Sequence, residues 1–111
     1  MKFKTHNEDS SIDCVGTGFL AAINTKYSIL KKLFGEPMVG DEFKIDAEWI
    51  VEFEDGTIAT IYNWKDGKNY NGRSGIATTR ITDWHIGGYD LKSVELVTFL
   101  LEDFLYNNKA K

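Results

Sequence analysis

The chain has 111 residues, of which 42% are apolar, 14% aromatic and 27% charged. That length suits one ordinary domain and not two independent cores, and the apolar share excludes wholesale disorder. Seventeen acidic residues against thirteen basic ones give a net charge of −4, which argues against general nucleic-acid binding through a basic face. No apolar run approaches the roughly 18 residues that a membrane-spanning helix needs, so no membrane partner is expected.

Residues 1–14 read as a polar, mobile leader, because Lys2 and Lys4 are followed by no apolar stretch of the secretory kind. Cys14 is the only cysteine, so no intramolecular disulfide can form, and it reads as a small buried or half-buried thiol. A cytosolic setting follows as the expectation. Residues 15–107 then form a single domain, with a polar tail at 108–111.

Val15 to Thr25 is short, largely apolar and bounded by Gly16 and Gly18, which predicts a strand. A short helix follows, with Thr25 as its cap and Tyr27, Ile29, Leu30, Leu33 and Phe34 at helical spacing. Lys31 and Lys32 suit its C-terminal end, Gly35 suits the left-handed position after it, and Pro37 prevents continuation. Glu48 to Glu54 and Thr57 to Trp64 both alternate, with Asp55-Gly56 between them, and predict a β-hairpin. A two-residue turn there sets Phe53 opposite Ile58, Val51 opposite Thr60 and Trp49 opposite Tyr62 on one buried face. Ile50, Glu52, Ala59 and Ile61 would then share the other. Residues 65–75, rich in Gly, Asn and charge, predict a loop with one further turn at Asp66-Gly67. Thr78 to Ile86 predicts another strand, closed by Gly87 and Gly88. Asp90 then caps a final helix from Leu91 to about Tyr106, whose wide apolar arc runs through Leu91, Val94, Val97, Leu101, Phe104 and Leu105, with Leu96, Phe99 and Leu100 beside it.

The order β-α-β-β-β-α describes an α+β domain, an antiparallel sheet of about four strands packed on two helices. Ile50, Ala59 and Ile61 on the outer face, with the broad arc of the last helix, predict a homo-oligomer, a dimer first.

No metal-ligand spacing, nucleophile elbow, phosphate-binding loop or dinucleotide fingerprint occurs, so neither metal nor cofactor is expected. Four constellations remain. In Asp83-Trp84-His85 a carboxylate and an imidazole share a strand face, which can tune a general base or merely flank a core tryptophan. Lys65, Lys68, Tyr70 and Arg73 bring cations and a ring to the glycine-rich loop, where they can meet a phosphorylated ligand or simply solvate it. The acids Asp41, Glu42, Asp46, Glu48, Glu52, Glu54 and Asp55 make either a phosphate-like row or a solvated strand face. Trp49 and Tyr62 read as core, whereas Trp64 stands where the hairpin opens toward the basic loop and can line a pocket mouth.

Phe34-Gly35-Glu36-Pro37, the run from Glu48 to Phe53, the run from Asp55 to Lys65, and Ile81-Thr82-Asp83-Trp84-His85-Ile86-Gly87-Gly88 together resemble small uncharacterised proteins of tailed bacteriophages. The resemblance covers about Gly16 to Leu105 and carries no catalytic residues with it. It implies a viral accessory product acting in a host bacterial cytoplasm. Together with the residues, it leads to a non-enzymatic binding protein that counteracts host defence by sequestering a small phosphorylated ligand or by binding a host protein. The ligand-binding candidates are Trp64, Lys65, Lys68, Tyr70, Arg73, Asp83 and His85. The alternative is a small hydrolase or nucleotide-processing enzyme with His85 as its base.

Overall fold

The computed structural model describes residues 2–7, 17–39 and 44–109. In chain order the elements are β1 (Phe3–Thr5), β2 (Gly18–Asn24), α1 (Tyr27–Phe34), β3 (Glu48–Phe53), β4 (Ile58–Tyr62), α2 (Lys68–Asn71), β5 (Asp83–Gly88) and α3 (Lys92–Lys109). Single 3₁₀ turns at Gly72–Ser74 and Thr78–Arg80 lie between α2 and β5. The strands form one antiparallel sheet in the order β1-β3-β4-β5-β2. The α+β class is as expected, with five strands rather than about four.

The additional strand comes from the leader. Phe3 pairs with Phe53 and Thr5 with Val51, and the Phe3 ring meets Phe34 edge-on at 5.5 Å. Three residues are too few to show alternation, so this strand exists because β3 offers it an edge and a greasy slot. Cys14 and the remainder of the leader, residues 8–14, lie outside the described residues.

The hairpin stands where the sequence puts it, but its connection has three residues. Phe53 N–H donates to the Thr57 carbonyl and Gly56 N–H to the Phe53 carbonyl, both at 2.9 Å. Gly56 takes the left-handed conformation (φ 89°) that closes a three-residue loop. One extra residue shifts the ladder by one and turns β4 over. Trp49 therefore lies opposite Ile61, Val51 opposite Ala59 and Glu48 opposite Tyr62. Ala59 and Ile61 go into the core. Ile58, Thr60 and Tyr62 go to the other face, which corrects the predicted pairing and removes the sheet-face argument for self-association.

Both long helices pack on the face that carries Trp49, Val51, Phe53, Ala59, Ile61, Trp84 and Ile86, with Leu30 and Phe34 from α1 and Val97, Leu100 and Leu101 from α3. The two fully buried indoles meet edge-to-face at 5.4 Å. Burying an indole requires a partner for its N–H. Trp49 Nε1 donates to the Gly35 carbonyl at 2.7 Å, and Trp84 Nε1 to the carbonyls of Thr25 and Ile81 at 3.2 Å each. The helix α1 begins after Lys26, without a side-chain cap from Thr25.

The expected strand from Thr78 is delayed to Asp83, because residues 78–80 coil into a 3₁₀ turn that tucks Ile81 into the core. Gly87 and Gly88 continue the strand instead of ending it. Gly88 lies beneath the start of α3, where a Cβ would collide with the Ser93 hydroxyl, and Ser93 Oγ donates to the Ile58 carbonyl at 2.8 Å. The carboxylate of Asp90 accepts from Lys92 N–H at 2.9 Å, so α3 starts one residue later than predicted. Its 18 residues span about 27 Å, beyond the roughly 20 Å of a six-residue strand. Leu91 and Leu105 stay exposed rather than completing the apolar arc, as does Phe99 beside it.

Candidate functional site: the second face of the sheet

The turned-over β4 gives the second face of the sheet its character. Strand pairing sets Tyr62 beside His85, and Phe19 follows from β2. The His85 ring lies 4.5 Å from Phe19 and 5.5 Å from Tyr62, and the Tyr62 ring lies 6.2 Å from Trp64 in edge-to-face contact. These four rings line a concavity of about 350 Å³. A second hollow of about 270 Å³ shares Tyr62 and Trp64 and is lined further by Gly18, Ile45, Glu48 and Thr60. Hollows of this size accept one small ring-bearing ligand. Trp64 is 37% exposed, whereas Trp49 and Trp84 are wholly buried.

Cations rim these rings. Lys44 Nζ lies 5.5 Å from the Trp64 centroid, and Lys65 Nζ lies 5.8 Å from Trp64 and 5.6 Å from Tyr70. All three distances fall in the range of cation–π attraction. Glu48 supplies the opposite charge. Burial, and secondarily the Glu48 carboxylate, pushes the Tyr62 phenol above its ordinary pKa. Tyr62 therefore stays neutral at physiological pH and presents an uncharged ring.

The predicted loop at 65–75 is folded instead, and Asn63 is the reason. Fully buried, Asn63 accepts on Oδ1 from the backbone N–H of Asp46 (2.8 Å) and Ala47 (3.1 Å). Its Nδ2 donates to the carboxylates of Asp46 (2.9 Å) and Asp66 (3.0 Å). The second oxygen of Asp46 accepts from Asn69 N–H at 3.2 Å, which anchors α2. Lys65 N–H donates to the Lys44 carbonyl at 2.9 Å, and Asn71 Nδ2 donates to the Lys65 carbonyl at 2.7 Å. These bonds hold Lys65 in the left-handed region (φ 61°), a conformation that costs a non-glycine residue about 1 kcal/mol. The sharp corner brings Trp64 onto the sheet face with Lys65 over two rings.

Of the residues singled out from sequence, the structure brings Trp64, Lys65 and Tyr70 together and sets His85 in the adjoining ring cluster. Lys68 and Arg73 are exposed and are not among the residues lining either hollow. Asp83 shares a face with His85 but lies opposite Asn24, and no hydrogen bond joins it to the imidazole. The acids of the 41–55 stretch are dispersed among separate tasks. Asp46 anchors the loop, Glu48 lines a hollow, Glu52 accepts from His6 Nε2 at 3.0 Å and Asp55 pairs with Lys92 at 2.8 Å, while Asp41 and Glu42 lie outside the described residues. Sequence reasoning missed Phe19, Lys44, Thr60 and Asn63, and it assigned Tyr62 to the core. The signal for Tyr62 and Thr60 was the turn length; nothing local marked Asn63.

Among the described residues no three His, Cys, Asp or Glu side chains gather as a metal site, and no helix is long and apolar enough to cross a membrane. No family model, curated protein or solved structure matches the chain.

Proposed function

We propose that the chain is a non-enzymatic binding protein that holds a small phosphorylated ligand with a planar ring, a nucleotide, on the sheet face opposite the helices. The observation that carries this reading is the gathering of Phe19, Tyr62, Trp64 and His85 around an open concavity with Lys44 and Lys65 at its rim. Aromatic faces stack on a base at roughly 1–3 kcal/mol each, and the ammonium groups are close enough to meet a phosphate attached to the stacked ring. The resemblance to tailed-phage proteins supports an accessory factor that sequesters its ligand in the bacterial cytoplasm, against host defence. Hydrolysis with His85 as base has less support, since Asp83 does not orient the imidazole and aromatic rings flank it. Exposed Phe99, Leu105 and Tyr106 on α3 support a dimer, which sedimentation at several concentrations tests.

Equilibrium dialysis against pooled nucleotides tests the reading. The wild type retains a species and releases it unchanged on heating. Lys44→Ala with Lys65→Ala lowers retention at least tenfold, whereas Lys68→Ala with Arg73→Ala leaves it unaltered. New chemical products would favour the enzyme, and recovery of a host protein without any retained nucleotide would favour a protein target.

A further inference from the structure

The hollow beside the ring cluster carries a hydrogen-bonding edge as well as stacking surfaces. Thr60 is 5% exposed and lines the hollow. Glu48 lines the same hollow and is the diagonal neighbour of Thr60 across β3 and β4, because Glu48 pairs with Tyr62 and Ile50 with Thr60. Gly87, opposite Thr60, keeps the floor low. A Cβ there would come within 2.5 Å of Thr60 Oγ1 and 3.4 Å of the Tyr62 ring.

An ionised carboxylate only accepts, and it accepts best from two parallel N–H groups. The amine of adenine and that of cytosine each adjoin a ring acceptor, which would face the carboxylate with like charge. Uracil offers one N–H between two carbonyls. Guanine alone presents a ring N–H next to an exocyclic amine, with a carbonyl on the far side for a hydroxyl donor. We infer that Glu48 and Thr60 read the Watson–Crick edge of a guanine-type base stacked against Tyr62 and Trp64, which makes the preferred ligand a guanine nucleotide. This rests on the nucleotide-binding reading above and adds its selectivity.

Calorimetric titration with GMP, IMP, AMP, CMP and UMP separates the two claims. A bidentate carboxylate contact discriminates by about 1–3 kcal/mol, so GMP should bind roughly ten- to a hundredfold more tightly than AMP. IMP, which lacks the amine, should fall between them. In Glu48→Gln the preference of GMP over AMP should collapse while AMP binding stays within about twofold, and Thr60→Val should weaken GMP severalfold. The series of ligands on the wild type decides the matter even where a variant folds poorly. Equal binding of all five nucleotides, or an undiminished GMP preference in Glu48→Gln, overturns the guanine assignment and leaves the stacking site standing. Failure of every nucleotide to bind overturns both.

Discussion

Replacing Asn63 with alanine should cost far more than its single polar side chain implies. The substitution strips the acceptor from two backbone N–H groups, of which Ala47 N–H is buried and Asp46 N–H partly so. A buried donor left without a partner costs about 1–3 kcal/mol. Asp46 and Asp66 also lose a donor, but both are half-buried and can turn to water, so they add little. The sum is about 2–4 kcal/mol, a large share of the roughly 5–15 kcal/mol that a domain of this size holds. With a urea slope of about 1.5 kcal/mol per molar, the midpoint should fall by roughly 1–3 M, read by tryptophan emission. Asn63→Asp sharpens the test, because it retains the acceptor and replaces the donor by an oxygen facing two carboxylates. It should match or exceed the alanine cost at neutral pH and recover in part as the pH falls. An Asn63→Asp protein as stable as wild type at pH 7 would refute the hydrogen-bond assignment. Both variants should also lose ligand, since Trp64 and Lys65 hang from the same corner.

Three further outcomes follow from particular contacts. The Lys92 ammonium, with help from Thr57 N–H, holds the Asp55 carboxyl well below the usual carboxylate range. A depressed folded-state pKa stabilises above the unfolded value of about 3.9 and is lost as the pH falls below it, so Asp55→Asn should lower stability modestly at pH 7, the pair being exposed, and flatten the profile below about pH 4, where variant and wild type converge. An unchanged acid limb in that variant would contradict the pairing. The raised Tyr62 phenol should appear in a difference titration against Tyr62→Phe as a tyrosine ionising above pH 10, and Glu48→Gln should lower it only in part because burial is the larger cause. Gly88→Ala drives a methyl into Ser93 and should destabilise by roughly 1–3 kcal/mol, visible as a drop in Tm, whereas an unchanged Tm would mean that α3 does not dock there.

What the sequence disclosed was local. The alternation of Glu48 to Phe53, the glycine after Phe34 and the apolar spacing in α3 each act over a few residues, and each produced its element. The register was not disclosed, because Asp55-Gly56 serves a two-residue and a three-residue turn equally well and only the closed ladder distinguishes them. That single residue decided which of Tyr62 and Ile61 met solvent, and so decided the site. The same limit explains β1, whose three residues are ordered by β3, and the 65–75 segment, ordered by Asp46 some twenty residues upstream. Trp64, Lys65, Tyr70 and His85 were legible as ring and charge at strand ends. Phe19 was not, since its role depends on β2 pairing with β5 across most of the chain.

Trp64 provides the most direct reporter, being the one exposed tryptophan among three. Excited at the red edge and titrated with GMP, the wild type should show saturable quenching that disappears in Trp64→Phe and is strongly weakened in Tyr62→Ala, while the melting transition of Trp64→Phe stays in place. Emission indifferent to the nucleotide, or quenching that survives unchanged in Trp64→Phe, would contradict ligand binding on the open face of the sheet.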